Sequence, residues 1–108
     1  MIERLLLPLL LLASITAHCQ LPCENGMAGE FPCENIDLMA FMALDELGGG
    51  EANEIWGWVD PTDSTEYVIM GRTNGTAFVN ISDPLNPFLV ADVPTETTSS
   101  LWRDVKVY

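Results

Sequence analysis

The sequence has few basic residues. It contains 4 Lys and Arg against 16 Asp and Glu, for a formal net charge of −12 at pH 7. Proteins that bind nucleic acid or anionic lipid surfaces need clustered Lys and Arg, so both are poor partners for this chain, and no nucleic-acid partner is predicted. The acidity is compatible with cation binding, including calcium, and equally with solubility in a salty exterior.

Histidine is almost missing as well. The single histidine, His18, lies at the end of the predicted leader, so the rest of the sequence offers no His-based triad, His–metal site or His general base. The sequence also lacks a P-loop and a dinucleotide fingerprint, and the glycines at 48–50 are interpreted as a flexible connection. These absences favour a protein without catalytic activity.

Residues 1–19 have the order of a cleavable signal peptide. A short n-region, residues 1–4, precedes the apolar run at 5–12, and smaller, more polar residues follow that run. This run is shorter than the ~20 residues of a membrane-spanning helix, and Pro8 interrupts it, so no transmembrane segment is predicted. We expect cleavage after Cys19; cleavage after Ala17 and acylation of Cys19 are the alternatives. The predicted location is extracellular or on the cell surface.

Cleavage after Cys19 leaves two cysteines, Cys23 and Cys33, each within a Pro-Cys-Glu-Asn sequence. An even number of cysteines in an exported chain indicates a disulfide. Closing a loop of about ten residues is worth ~2–3 kcal/mol on the chain-entropy estimate. Free thiols, or a partner cysteine elsewhere in the protein, are the alternatives. Zinc would need two further ligands, which this segment does not offer.

Residues 20–54 are interpreted as a Cys-containing loop and lead-in, and the sequence after them is strongly β-prone. The pair Asn74-Gly75 predicts a type I′ hairpin turn. Residues 102–108 alternate polar and apolar side chains and predict a further strand, whereas residues 36–44 fit either a helix face or a strand. Four other β-prone runs bounded by turn sequences are predicted as strands, at 55–59, 66–71, 76–82 and 88–93.

The turns and the aromatic residues recur at intervals typical of a β-propeller. Asp-Pro turns occur at 60 and 83, and Trp56 and Trp58 are followed by Trp102 after the fourth strand. A restart after four strands, within ~40–50 residues, is the period of a propeller blade. We predict an all-β, partial β-propeller, with about one blade and the first strand of the next in residues 55–108, as the N-terminal piece of a longer protein.

Five segments of the sequence together carry a resemblance; they lie at 25–33, 47–50, 55–58, 66–87 and 102–108. They resemble the choice-of-anchor B family of bacterial surface proteins, whose blades are LVIVD-type repeats. The resemblance implies an exported propeller that is fixed to the cell surface or released. It also implies strand rather than helix for residues 36–44, and it carries over no catalytic residue.

The acidic turn after the first strand is a weak calcium candidate. Asp60, Asp63 and Glu66 offer three carboxylates to an ion that takes six to eight oxygen ligands. Their spacing does not follow an EF-hand loop, and Pro61 favours a plain turn. Three other carboxylates, Glu46, Glu51 and Glu54, form either a binding rim or a solvated loop.

The tryptophans have two interpretations. Trp56, Trp58 and Trp102 suit a carbohydrate-stacking platform, but their periodic placement favours packing between blades. Arg103 and Asp104 are interpreted as an inter-blade ion pair. The predicted function is a non-catalytic binding or scaffold propeller with an extracellular protein or glycan partner and no cofactor; the alternative is an extracellular hydrolase or lyase with catalytic residues outside these 108.

Overall fold

A computed structural model describes residues 20–108, which are all-β and contain no helix. The predicted signal peptide, residues 1–19, lies outside the described residues. Within 20–108, no helix has the length and hydropathy that crossing a membrane requires. Six strands form two antiparallel sheets: β1 (Met27–Ala28), β2 (Phe31–Pro32), β3 (Ala52–Val59), β4 (Glu66–Arg72), β5 (Gly75–Asn80) and β6 (Phe88–Pro94).

The larger sheet has the strand order β3-β4-β5-β6, and each strand pairs antiparallel with the next. Burial alternates along β5, from Ala77 and Val79 on one face to Phe78 on the other. Short connections between successive strands favour this meander, since antiparallel neighbours need only a tight turn. The four predicted strands are confirmed, with boundaries shifted by one to three residues at most ends.

The β4–β5 hairpin is confirmed, but its predicted type I′ geometry is wrong. Thr73 and Asn74 form the two-residue turn, and neither Asn74 nor Gly75 has a positive φ. Gly75 is required for a different reason: a Cβ there would overlap the carbonyl oxygen of Val93 in β6. The glycine therefore permits close approach of two strands rather than a left-handed turn.

One face of the sheet packs against the lead-in segment. Leu47 joins Ala77 and Val79 of β5 in the buried core. Leu47 reaches this position on a series of tight turns over residues 43–49. The partly buried hydrophobic residues around this core are Met42, Val68, Met70, Ile81 and Leu89.

The strand predicted for residues 36–44 is wrong, and the alternative helix does not form either. Only Leu38 makes a β-bridge, to Leu21, and the segment ends in turns. Its apolar side chains explain this outcome, because Met42 packs onto the face of the sheet. A segment that lies across a face has no strand edge with which its backbone can pair.

The strand predicted for residues 102–108 is also not formed. Burial does alternate along this segment, with Arg103, Val105 and Val107 half-buried and the residues between them exposed. The segment crosses the second face of the sheet, where Val105 approaches Gly71 of β4. The alternation of buried and exposed side chains therefore arises from contact with that face of the sheet and not from pairing with a neighbouring strand.

The lead-in segment contains the small sheet and a disulfide. Cys23 and Cys33 are bonded, with their Cα atoms 5.9 Å apart, so the predicted pair is confirmed. The Asp37 carboxylate accepts hydrogen bonds from the backbone N–H of Cys23, at 2.9 Å, and from Nε2 of Gln20, at 2.7 Å. The Asp37 side chain thus adds to the short backbone pairings of this loop, which include the Leu21–Leu38 bridge.

Candidate functional site

The polar contacts of the larger sheet concentrate beside the β4–β5 turn. Among residues 20–108, Arg72 is the only charged side chain that is fully buried. Its Nη1 donates to the Gly49 carbonyl at 2.8 Å and to Asn74 Oδ1 at 3.0 Å, and its Nη2 pairs with Asp92 of β6. We call these residues, together with Gly48 and Gly50, the Arg72 junction.

The three glycines at 48–50 are part of this junction, so their interpretation as a flexible connection is wrong. All three have positive φ, and the carbonyl of Gly48 accepts a hydrogen bond from Asn74 Nδ2 at 3.1 Å. A Cβ on Gly48 would overlap the Asp92 carboxylate and lie 2.8 Å from Arg72 Nη1. Only glycine combines this backbone conformation with so close an approach.

The chemistry of the Arg72 junction is structural. The guanidinium is already paired with a carboxylate, a carbonyl and an amide oxygen, while its Nε has no partner. The Asp92 side chain remains 39% exposed. A buried cation compensated in this way holds the lead-in segment on the sheet and leaves no reactive group free for a substrate.

The opposite side of the same turn is held by the segment after β6. Ser100 donates its backbone N–H to the Thr73 carbonyl at 3.0 Å, and Arg103 Nη2 donates to the same carbonyl at 3.4 Å. Arg103 Nη2 also donates to the Thr98 carbonyl at 3.1 Å. The predicted ion pair of Arg103 and Asp104 is therefore wrong, because Asp104 pairs with Lys106 at 2.9 Å.

Sequence reasoning missed the central residue of this region. Arg72 follows an apolar strand in a sequence with only 4 Lys and Arg, and Asp92 lies within an equally apolar strand. A lone charge in each of two β-prone runs is the signal that would have indicated a buried pair, because unpaired charges are almost never fully buried.

The calcium candidates lie in one turn but do not converge. Asp60 Oδ1 accepts hydrogen bonds from the N–H and hydroxyl of Thr62, at 2.8 and 2.6 Å. Hydrogen bonds from Thr65 hold the pKa of the Asp63 carboxyl below its usual value. Glu66 begins β4. In the described part of the chain, no three His, Cys, Asp or Glu side chains are grouped to hold a metal ion.

The three tryptophans differ in their surroundings. Trp58 stacks on Tyr67, with ring centroids 5.5 Å apart, and the Lys106 ammonium lies 4.5 Å from the Trp56 ring centroid. Trp102 is 92% exposed. Trp56 and Trp58 thus contact other side chains of the described residues, whereas Trp102 is almost fully exposed.

The three glutamates around the glycines do not form one rim. Glu46 Oε2 accepts the Ala43 N–H at 2.7 Å, whereas the Glu54 carboxylate lies 4.0 Å from Lys106 Nζ. The backbone N–H of Glu51 donates to Thr73 Oγ1 at 3.1 Å, on the flank of the Arg72 junction. Glu46 and Glu54 line different clefts.

Comparison of the chain with models of protein families, with curated proteins and with solved structures finds no match in any of the three. The Arg72 junction and the partly covered four-stranded sheet are the observations on which the proposal below is based.

Proposed function

We propose that this chain belongs to an exported, non-catalytic β-propeller that acts as a binding or scaffold protein of the bacterial cell surface, of the choice-of-anchor B type. The observation that carries the proposal is the four-stranded antiparallel meander, whose two faces are each covered only in part. Leu47 packs on one face and the segment around Val105 crosses the other. In a propeller each blade is such a sheet, packed between its neighbours.

Exposed apolar residues on β3 support the blade interpretation. Ile55 and Val59 are 57% and 55% exposed, and Ile55 pairs with Met70, which packs against the core. These side chains extend the apolar surface beyond the area that the lead-in segment covers. Contiguous apolar surface of this kind marks a packing or interaction site, and a neighbouring blade would bury it.

The proposed export is supported by the disulfide between Cys23 and Cys33. Disulfides form and persist in oxidising compartments such as the exterior of the cell. The acidic composition supports a surface exposed to solvent and salt, and it disfavours partners that present phosphate groups.

The alternative function is an extracellular hydrolase or lyase whose catalytic residues lie on other blades. Propeller folds host both binding proteins and enzymes, so the fold does not choose between them. Within residues 20–108 the candidate groups are engaged structurally: Arg72 pairs with Asp92, and Asp60 and Asp63 cap their own turn. This engagement favours binding over catalysis.

The test uses the protein encoded by the complete open reading frame, incubated with panels of glycans, extracellular proteins and ions. We expect saturable binding of at least one protein or glycan and no change in the ligand. Turnover of a substrate without a stable complex would contradict the proposal and support the hydrolase or lyase.

The blade itself is tested on the isolated fragment 20–108. We expect a broad thermal transition, because a single blade exposes apolar surface and two free strand edges. A sharp two-state melt of a monomeric fragment would contradict the blade interpretation.

A further inference from the structure

A cleft lies between the lead-in segment and the turn that connects β5 to β6. Its volume is about 460 Å³, within the ~300–1,000 Å³ typical of ligand sites. We call it the lead-in cleft. Its apolar lining includes Phe31, Met39, Phe41, Met42, Leu85 and Pro87, and its acidic lining consists of Glu30 and Glu46.

The walls of the lead-in cleft suit an apolar side chain. The rings of Phe31 and Phe41 lie 5.0 Å apart, and Phe41 remains 63% exposed. Phe31 belongs to β2, close to the disulfide at Cys33, so this wall is preformed. Met39 adds a flexible, polarisable side chain that adapts to different apolar groups.

The charge around the cleft is of one sign. The sequence contains no Lys, Arg or His between Gln20 and Gly71. Ion pairs within 20–108 join Arg72 or Lys106 to other carboxylates, and none includes Glu30 or Glu46. Two uncompensated carboxylates beside apolar walls create a negative potential that attracts a cation.

The position of Glu46 is fixed by the backbone. Its Oε2 accepts the N–H of Ala43 at 2.7 Å, which orients the carboxylate and leaves Oε1 available. A bound guanidinium or ammonium would therefore meet an already oriented acceptor, and less side-chain entropy is lost on binding.

We infer that the lead-in cleft binds a peptide segment of a partner protein in which an arginine or lysine is flanked by apolar side chains. The cation lies at Glu30 and Glu46, and the flanking side chains occupy the space beside Phe41 and Met39. The inference rests on the proposed function as a binding protein and specifies its partner. The net charge of −12 disfavours nucleic acids and anionic membranes as the partner.

The test measures fluorescence anisotropy of a fluorescein-labelled hexapeptide that alternates arginine with leucine or phenylalanine, titrated with the complete protein. Two comparison peptides carry glutamine or glutamate in place of arginine. We expect the arginine peptide to bind at least about ten-fold more tightly than the glutamine peptide, and the glutamate peptide not to bind, because a like charge opposes the cleft.

Variants of the cleft identify the site. Phe41→Ala should weaken binding about ten-fold, as expected for an aromatic anchor, and Met39→Gln should weaken it in the same direction. Glu30→Gln and Glu46→Gln should each weaken it about three-fold, as for exposed ion pairs. Unchanged melting temperatures show that the variants remain folded.

Glu24→Gln is the matched control, because Glu24 is exposed in the same disulfide loop but lies outside the cleft. It changes the net charge by the same amount as Glu30→Gln or Glu46→Gln and should leave peptide binding unchanged. Three results would overturn the inference: an equal loss in Glu24→Gln, equal affinity for the glutamine peptide, or no binding of the arginine peptide. The assay for substrate turnover and the melt of fragment 20–108 do not depend on the cleft. Failure of the cleft inference is therefore distinguishable from failure of the proposed function.

Discussion

Different interactions stabilise the larger sheet and the part of the lead-in segment that precedes it. The sheet spans residues 52–94, so β3 includes the last residues of the predicted lead-in, and the segment before the sheet is residues 20–50. In the sheet, three antiparallel ladders join the four strands, with one register shift in each of the two outer ladders, and side chains alternate between the two faces. In the lead-in segment the only strands are two residues long, and a disulfide and the Asp37 carboxylate hold the backbone. Only Ala28 and Leu47 are buried there.

This difference shows which interactions stabilise a segment that lies across a sheet and does not join it as a strand. Without ladder hydrogen bonds, each backbone group needs a turn, a side chain or water as its partner. Covalent closure then lowers the entropy of the unfolded segment and substitutes for burial of apolar surface. The two regions meet at the Arg72 junction, so variants there should affect both.

The largest effect is expected from Gly48→Ala. The new Cβ would overlap Asp92 and approach Arg72 at a residue with φ of 96°. Left-handed strain and overpacking together should lower the free energy of unfolding by about 3–4 kcal/mol, measured by urea denaturation of the complete protein. Gly49→Ala is the control, because φ is also positive but no atom lies within 4 Å of the new Cβ. Equal losses in the two variants would show that the junction is not closely packed.

Arg72→Met should have the next largest effect. It removes the cation that Asp92 faces and leaves the Gly49 carbonyl and the Asn74 amide oxygen without their donor. Breaking a buried pair costs about 3–5 kcal/mol; because the Asp92 side chain is 39% exposed, we expect about 2–3 kcal/mol by the same measurement.

A double variant, Arg72→Met with Asp92→Leu, separates charge from packing. It should recover part of the lost stability, since no carboxylate is then left facing an apolar group. If Arg72→Met alone were as stable as the native protein, the junction would not be what joins the lead-in segment to the sheet.

The strands of the larger sheet could be predicted from the sequence because their signal is local. In β4 and β5 the β-branched and aromatic residues that favour extended backbone are the same residues that pack on the two faces. The disulfide was predictable because Cys23 and Cys33 are the two cysteines outside the predicted signal peptide, and two cysteines leave one intramolecular pairing. The fold class therefore follows from patterns within a few neighbouring residues.

The Arg72 junction could not be predicted because its partners are distant in sequence. Gly49, Asn74 and Asp92 converge on one guanidinium only after the sheet has formed. Residues 36–44 fit the periodicity of a helix and that of a strand, but the segment forms neither, because it packs across the face of the sheet. The lead-in cleft was missed similarly, because it joins Phe31 and Phe41 to a turn beyond β5.

Reduction of the Cys23–Cys33 disulfide should separate the two regions. Opening this loop should destabilise the lead-in segment by up to about 2–3 kcal/mol and leave the sheet ladders intact. Hydrogen exchange measures this directly: protection should fall at residues 23–38 and persist at residues 66–80. A Cys23→Ser, Cys33→Ser double variant should behave like the reduced protein. Equal loss of protection in both regions would show that they unfold as one cooperative unit.

The smallest expected effect is that of acid on the turns between the strands. The side chain of Asn86 and the N–H of Leu85 hold the pKa of Asp83 below its usual 3.8, and hydrogen bonds from Thr65 do the same for Asp63.

A carboxyl whose pKa is lower in the folded state stabilises the fold above its unfolded pKa, and this stabilisation is lost as the pH falls through the folded pKa. NMR titration should therefore place both midpoints below 3.8, and near 3.8 in urea. Thr65→Val should raise the pKa of Asp63 and leave that of Asp83 unchanged. Acid should thus loosen the turns at Asp63 and Asp83 as these two carboxyls are protonated; a midpoint at or above 3.8 for either would contradict this.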